Sequence, residues 1–229
     1  MYLILSICYV IAAVHLFLND YDKSELMFNI NRPITLLTSF FIHNDSTHYY
    51  CNVLLLFSQS VFIEYAFNRW ILLILIISSH CIAAFASYFY YKRKGCGASA
   101  VLYSIFAIMI CGKVSLYIKI NWIKRIVEAL SILIIAIGDY FINEKYKKTT
   151  SDHMIISHAG HFLALLIGYL YWISWFQYDP RILNFFMIER PCISLYDLHL
   201  IPLSLVYIKK IKEEHTYLDS KNNFIQVRV

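Results

Sequence analysis

The fold class is most evident between Trp70 and Gly112, where the sequence reads WILLILIISSHCIAAFASYFYYKRKGCGASAVLYSIFAIMICG. This stretch consists of two long uncharged runs, separated only by Lys92, Arg93 and Lys94. A transmembrane helix needs about 20 mostly apolar residues, and each run is close to that length. The stretch therefore predicts two membrane-spanning helices joined by a short basic turn.

The composition of the whole chain favours the same fold class. Of the 229 residues, 59% are apolar and 15% are charged, whereas soluble domains average about 45–50% apolar and about 25% charged residues. The net charge of +5 is spread thinly along the chain, which argues against nucleic-acid binding. The six cysteines form no CxxC pair and no tight cluster, so no metal site or disulfide framework is predicted. We expect an all-α, polytopic integral membrane protein.

Further apolar runs extend this pattern along the chain. Counted in order, the predicted spans begin near residues 2, 47, 70, 95, 122 and 154. Residues 1–178 are therefore interpreted as one domain of six transmembrane helices. The first connection, 19–45, is long for a loop between helices and is expected to lie at the membrane interface. In the C-terminal segment, 179–229, the apolar run 195–208 is a candidate short extra helix, followed by a polar tail.

Several polar residues are predicted at one depth in the membrane. Spans two, four and six begin on the same face, and at about 1.5 Å rise per residue Ser99 and His161 lie roughly 6–10 Å below it. His48 and Asn52, four residues apart on one side of span two, fall at the same level. Such a set provides the nucleophile, the general base and the oxyanion donors of a serine hydrolase. Tyr103, one turn after Ser99, faces the same way and is expected to support the base.

The serine stands in a motif that resembles one of the rhomboid family of intramembrane serine proteases. Gly97, Ala98, Ser99 and Ala100 are similar to the GxSG sequence that opens the fourth helix of that family. Tyr103 follows the serine at the family's spacing, and Ala100 replaces the second glycine with another small residue. The resemblance implies that Ser99 is the nucleophile and that Gly97 packs beside it.

Two other motifs carry the same resemblance. His48 and Asn52 are similar to the HxxxN motif of the family's second helix. His161, Ala164 and Gly168 are similar to its sixth-helix motif, HxxGxxxG, with alanine in place of the first glycine. We expect that alanine to loosen the helix packing without abolishing it.

The resemblance extends over residues 35–171 and implies a mechanism and a class of substrate. Ser99 would attack a peptide carbonyl after His161 removes its proton. His48, Asn52 and the backbone N–H of Ser99 would stabilise the oxyanion. The implied substrates are single-span membrane proteins, cut near one face of the lipid bilayer. No cofactor is implied, and the oligomeric state is left open.

The orientation of the base is a separate question. We expect no carboxylate at the level of the serine, so a Ser-His dyad is predicted in which Tyr103 holds the imidazole. Glu128 and Asp139, two charges in the weak fifth span, are given no role. His158, one turn before His161, is an alternative base, but the sixth-helix motif favours His161.

Other functions fit parts of the pattern. A catalytically weak or inactive rhomboid-like adaptor would bind transmembrane helices without cutting them, although the retained Ser99 and His161 argue against it. A transporter or channel of unrelated fold predicts inverted repeats and broken helices, and the sequence has neither. Asn52 taken alone equally fits a hydrogen bond between helices.

Overall fold

The computed structural model describes residues 2–43, 46–66, 69–91, 95–147 and 158–178. Most of these residues are helical, and none of the described residues forms a β-strand, as the composition predicts. The α-helices are α1 (Tyr2–Phe17), α2 (Asp20–Leu26), α3 (Thr35–Thr38), α4 (Ser46–Ala66), α5 (Arg69–Tyr91), α6 (Ser99–Tyr117), α7 (Asn121–Lys147) and α8 (His158–Ser174). Two short 3-10 helices accompany them, Ser39–Phe41 and Phe176–Tyr178.

Among the described residues, three segments are long and apolar enough to cross a membrane: Arg69–Tyr90, Ser99–Tyr117 and His158–Tyr178. The apolar segment Leu3–Phe17 is shorter. α4 and α7 lie where the second and fifth spans are predicted, and they contain 21 and 27 residues. The total of six spans stays a prediction. The candidate helix at 195–208 and the polar tail lie outside the described residues.

The first connection folds back against α5. Thr35 is buried, and its hydroxyl donates to the carbonyl oxygen of Arg32 over 2.6 Å. Ser39 Oγ lies 3.1 Å from His80 Nε2, which is also 2.8 Å from the carbonyl oxygen of Leu36. Since His80 belongs to α5, these contacts fix the connection on that helix. Its predicted place at the membrane interface stays a prediction.

α6 and α8 approach each other closely where small residues face across the interface. A Cβ added at Gly168 would lie 2.1 Å from the carbonyl oxygen of Ser104, so only glycine permits this approach. The Ser104 hydroxyl donates to the carbonyl oxygen of Ala164 over 2.6 Å, and Ala164 is fully buried. Such small-residue contacts let helix backbones pack directly against each other. They set the position of α8, which carries His161, relative to α6, which carries Ser99.

α4 is attached to the first turn of α1. The carboxylate of Glu64 accepts hydrogen bonds from the backbone N–H groups of Leu3 and Ile4, over 3.0 and 3.1 Å. The first N–H groups of a helix have no partner within the helix, and a carboxylate is favoured there. This attachment holds the helix that carries His48 and Asn52.

Candidate active site

The segment before α6 is positioned by the first connection. The backbone N–H of Phe28 donates to the carbonyl of Gly95, and the N–H of Gly97 donates to the carbonyl of Ser39, each over 2.9 Å. Gly97 has φ +100°, in the left-handed region that favours glycine. This conformation is not helical, so α6 begins at Ser99 rather than near residue 95, where the uncharged run begins. Ser99 is thus the first residue of its helix.

The structure brings Ser99 together with His161 rather than with His158. Ser99 Oγ lies 3.0 Å from His161 Nε2, a distance at which the hydroxyl donates to an unprotonated ring nitrogen. His158 lies one turn earlier on α8, and its Nδ1 is 3.0 Å from Asp139 Oδ2. The serine and the predicted base therefore have the geometry of a nucleophile and its proton acceptor.

Tyr103 packs on the imidazole of His161. The two rings are stacked, with centroids 4.1 Å apart and planes inclined by 16°. Ser99 and Tyr103 are four residues apart on α6, so one face of that helix presents both the hydroxyl and the stacking ring. The Tyr103 hydroxyl donates to Asp139 Oδ1. Tyr103 thereby restricts the orientation of the His161 ring and also contacts a carboxylate.

That carboxylate corrects the expectation that no acid lies beside the base. His161 Nδ1 is 3.2 Å from Asp139 Oδ2 and 3.4 Å from Oδ1. Asp139 is a buried residue of α7, the predicted fifth span. The imidazole therefore contacts a hydroxyl through one ring nitrogen and a carboxylate through the other.

The spacing of the spans is sufficient to predict the depth of Asp139. A fifth span ends on the face where the fourth and sixth begin. Asp139 lies close to the predicted end of its span, Asn143, so it falls at the depth of Ser99 and His161. The beginnings of the even-numbered spans alone do not reveal this residue, because it lies near the end of an odd-numbered span.

His48 and Asn52 face the segment that precedes the serine. A Cβ added at Gly97 would lie 3.2 Å from His48 Nε2 and 3.6 Å from Asn52 Nδ2. Gly97 therefore leaves room for both side chains beside the backbone that leads into Ser99. Asn52 is buried, and its Nδ2 has no hydrogen-bond partner among the described residues. An amide donor left unpaired at this place is available to an oxygen atom of a ligand.

A second imidazole lies behind His48. His43 is buried in the connection before α4, and the centroids of the two rings are 5.0 Å apart. Burial, and to a smaller extent the neighbouring His48, lowers the pKa of His43 to about 3. His43 is therefore neutral near pH 7 and adds no charge beside His48.

A family model described as the Rhomboid domain matches residues 31–178, which is more than half of the chain. The chain belongs to the rhomboid family. Members of this family are generally intramembrane serine proteases, and the family together with the apolar helices identifies an integral membrane protein. Among curated proteins, none matches the chain significantly.

The rhomboid domain includes the whole candidate site. The matched range contains the predicted resemblance at 35–171, so the family prediction is confirmed. It also contains Ser99, His161 and Asp139. Family membership alone does not assign roles to these side chains, and their roles are proposals.

Proposed function

We propose that the protein is an intramembrane serine endopeptidase that uses Ser99 and His161. It would cleave transmembrane segments of membrane proteins near the face where α6 and α8 begin. The observation that carries this proposal is the 3.0 Å distance between Ser99 Oγ and His161 Nε2. A serine with a purely structural role in a helix donates its hydroxyl to the backbone of its own helix. The Ser99 hydroxyl instead lies within hydrogen-bond distance of an imidazole on another helix.

The chemistry follows from these two groups. His161 Nε2 accepts the hydroxyl proton as Ser99 Oγ attacks the scissile carbonyl carbon. His161 then returns that proton to the leaving amine, and the acyl chain remains on Ser99. A water molecule, deprotonated in the same way by His161, attacks the acyl-enzyme. The bond between the acyl carbon and Ser99 Oγ then breaks, His161 returns the proton to Ser99 Oγ, and the new carboxyl terminus is released.

The negative charge on the carbonyl oxygen needs hydrogen-bond donors. His48 Nε2, Asn52 Nδ2 and the backbone N–H of Ser99 are the proposed donors. In support, His48 and Asn52 both lie against Gly97, two residues before the nucleophile. Removing one such donor costs about 2.7–4 kcal/mol of transition-state stabilisation in serine proteases.

The membrane arrangement belongs to the same proposal. α4 and α7 would complete a set of six spans together with α1, α5, α6 and α8. The substrates would be single-span proteins whose helix unwinds near the cut, because a helical peptide bond is shielded by its own hydrogen bonds. The partners are thus such substrates and the lipid bilayer, and the chemistry described here uses no cofactor.

The test is covalent labelling together with cleavage in liposomes. Separate samples of the purified protein and of S99A are either treated with a fluorophosphonate probe or reconstituted in liposomes with a single-span reporter that carries helix-breaking residues. We expect labelling and cleavage by the wild type and neither by S99A. Ser131→Ala is the matched control, because within the described part of the chain the Ser131 hydroxyl donates to the carbonyl of Val127 on its own helix and to no other group.

The adaptor alternative predicts a different result. An adaptor would bind the reporter in both the wild type and S99A, with no cleavage and no labelling of Ser99. That result would overturn the proposal of protease activity. Labelling of the wild type at another serine would overturn the assignment of Ser99.

A further inference from the structure

The carboxylate of Asp139 lies where α6, α7 and α8 meet. It accepts a hydrogen bond from Tyr103 on α6, and it contacts His158 and His161 on α8. We propose that Asp139 is a positioning residue for the base, so that Ser99, His161 and Asp139 act as a catalytic triad. This inference rests on the protease function proposed above.

The geometry favours the imidazole tautomer that catalysis needs. A carboxylate accepts hydrogen bonds, so Asp139 selects the form of His161 that carries its proton on Nδ1, over 3.2 Å. Nε2 is then unprotonated and accepts the hydrogen of Ser99, over 3.0 Å. The opposite tautomer would present N–H to the serine and could not take its proton.

Asp139 also faces the charge that appears during the reaction. When His161 takes the proton of Ser99, its ring becomes an imidazolium. A carboxylate in contact with Nδ1 stabilises that cation, and burial strengthens the interaction because little water screens it. Asp139 is 8% exposed, so it meets this condition. Tyr103 contributes a second restraint, since it stacks on the ring and donates to the same carboxylate.

A competing role for Asp139 is to hold His158. His158 Nδ1 is 3.0 Å from Asp139 Oδ2, slightly closer than His161 Nδ1. In that case the carboxylate would only fix the start of α8. The two roles differ in what happens when His158 is removed, and the experiment uses that difference.

The central variant is Asp139→Asn, which keeps the shape and removes the charge. Its amide can turn N–H toward His161 Nδ1 and favour the unproductive tautomer. The same change in a soluble serine protease lowers kcat by about 10⁴-fold. Because Tyr103 still holds the ring, we expect kcat to fall less far, by about 10²-fold and at least by about tenfold. We expect KM to stay unchanged. If kcat, measured on the folded fraction of the D139N protein, falls by less than about tenfold, the triad is overturned.

Two comparisons distinguish a positioning role of Asp139 from a purely structural one. Glu128→Gln makes the same change at the other buried carboxylate of α7, and we expect its folded fraction to retain wild-type kcat. In an H158A background, D139N should again lower kcat by the same factor. If His158→Ala alone causes the loss and D139N adds nothing, Asp139 acts through His158 and the proposal is wrong.

A spectroscopic measurement on the wild-type protein does not depend on the folding of a variant. In protein labelled with ¹⁵N-histidine, the signals of His161 are assigned by comparison with His161→Ala. We expect His161 to carry its proton on Nδ1 in the resting state. A proton on Nε2 would overturn the proposal.

The outcomes also distinguish the two proposals. If the wild-type protein neither cleaves the reporter nor reacts with the fluorophosphonate probe, both the protease function and the triad are overturned. A wild-type protein that cleaves, with D139N equally active, overturns the triad alone and leaves the function in place.

Discussion

Two buried carboxylates on α7 differ in their surroundings. Glu128 and Asp139 are eleven residues apart, which is about three helical turns, so both project from the same side of the helix, about 16 Å apart. Glu128 is 0% exposed and Asp139 is 8% exposed. Both are acids within an apolar helix, but only Glu128 has basic residues close before it in the sequence, Lys124 and Arg125.

Their partners separate them. Glu128 pairs with Arg125 over 2.6 Å and accepts hydrogen bonds from Trp172 Nε1 over 3.0 Å and Ser115 Oγ over 3.1 Å. A guanidinium is always charged, so this carboxylate has a permanent counter-ion.

Asp139 instead contacts two imidazoles and a phenol, His158, His161 and Tyr103. A neutral imidazole has one ring nitrogen that can accept a proton, whereas a guanidinium has donors only. A buried acid beside a guanidinium therefore forms a lasting ion pair, whereas a buried acid beside an imidazole can orient a group that accepts a proton. The identity of the partner, and not the burial, distinguishes the two ends of α7.

The largest expected effect is a loss of turnover when the groups around Asp139, near the C-terminal end of α7, are changed. His161→Ala should lower turnover of a single-span reporter by at least about 10³-fold, because in the proposed mechanism Ser99 and His161 act as one unit. His158→Ala should keep most of its turnover, since His158 contacts Asp139 but not the serine. Cleavage rates in liposomes, corrected for folded protein, provide the comparison. The reverse pattern would mean that the base is one helical turn earlier.

A smaller effect is expected at the Glu128 end. Arg125→Met removes the counter-ion and leaves Glu128 buried with neutral donors only. Breaking a buried ion pair costs up to about 3–5 kcal/mol, and partial exposure of Arg125 places the expected loss near the lower value. Unfolding in mixed detergent micelles should show this loss, while kcat of the folded protein stays the same.

A fall in kcat of R125M with unchanged stability would contradict the distinction between the two ends. It would mean that the Glu128 network reaches the chemistry. The same measurement on Glu128→Gln then shows whether the ion pair or the packing of Trp172 is responsible.

Local spacing predicts those parts of the site that lie within one helix. Ser99 and Tyr103 share a face of α6, and the family motif separates His161 from His158. The uncharged run predicts that the fourth span begins near residue 95, four residues before α6 begins, because the run does not reveal that Gly97 adopts a left-handed conformation. Hydropathy shows where a chain can enter lipid, but the backbone conformation decides where the helix begins.

Contacts between helices are harder to predict. Asp139 reaches His161 from another helix, and its rotation about the helix axis depends on how α7 packs against α6 and α8. Its place along the span can be predicted from the sequence, but that rotation cannot. The expectation that no carboxylate lies at the level of the serine is therefore wrong, since Asp139 contacts His161.

The smallest predicted effect lies between the two carboxylates, at Gly138. A Cβ added there meets nothing within 4 Å, so Gly138→Ala should fit and should stabilise the protein by about 0.5–1 kcal/mol through the lower backbone freedom of alanine. Turnover should be unchanged if α7 moves as one rigid element that carries Glu128 and Asp139 together. Unfolding free energy and kcat of the same preparation provide the test. A stabilised G138A protein with reduced kcat would mean that α7 bends at Gly138 during turnover, so that the Asp139 end moves while the ion pair of Glu128 holds the other end in place.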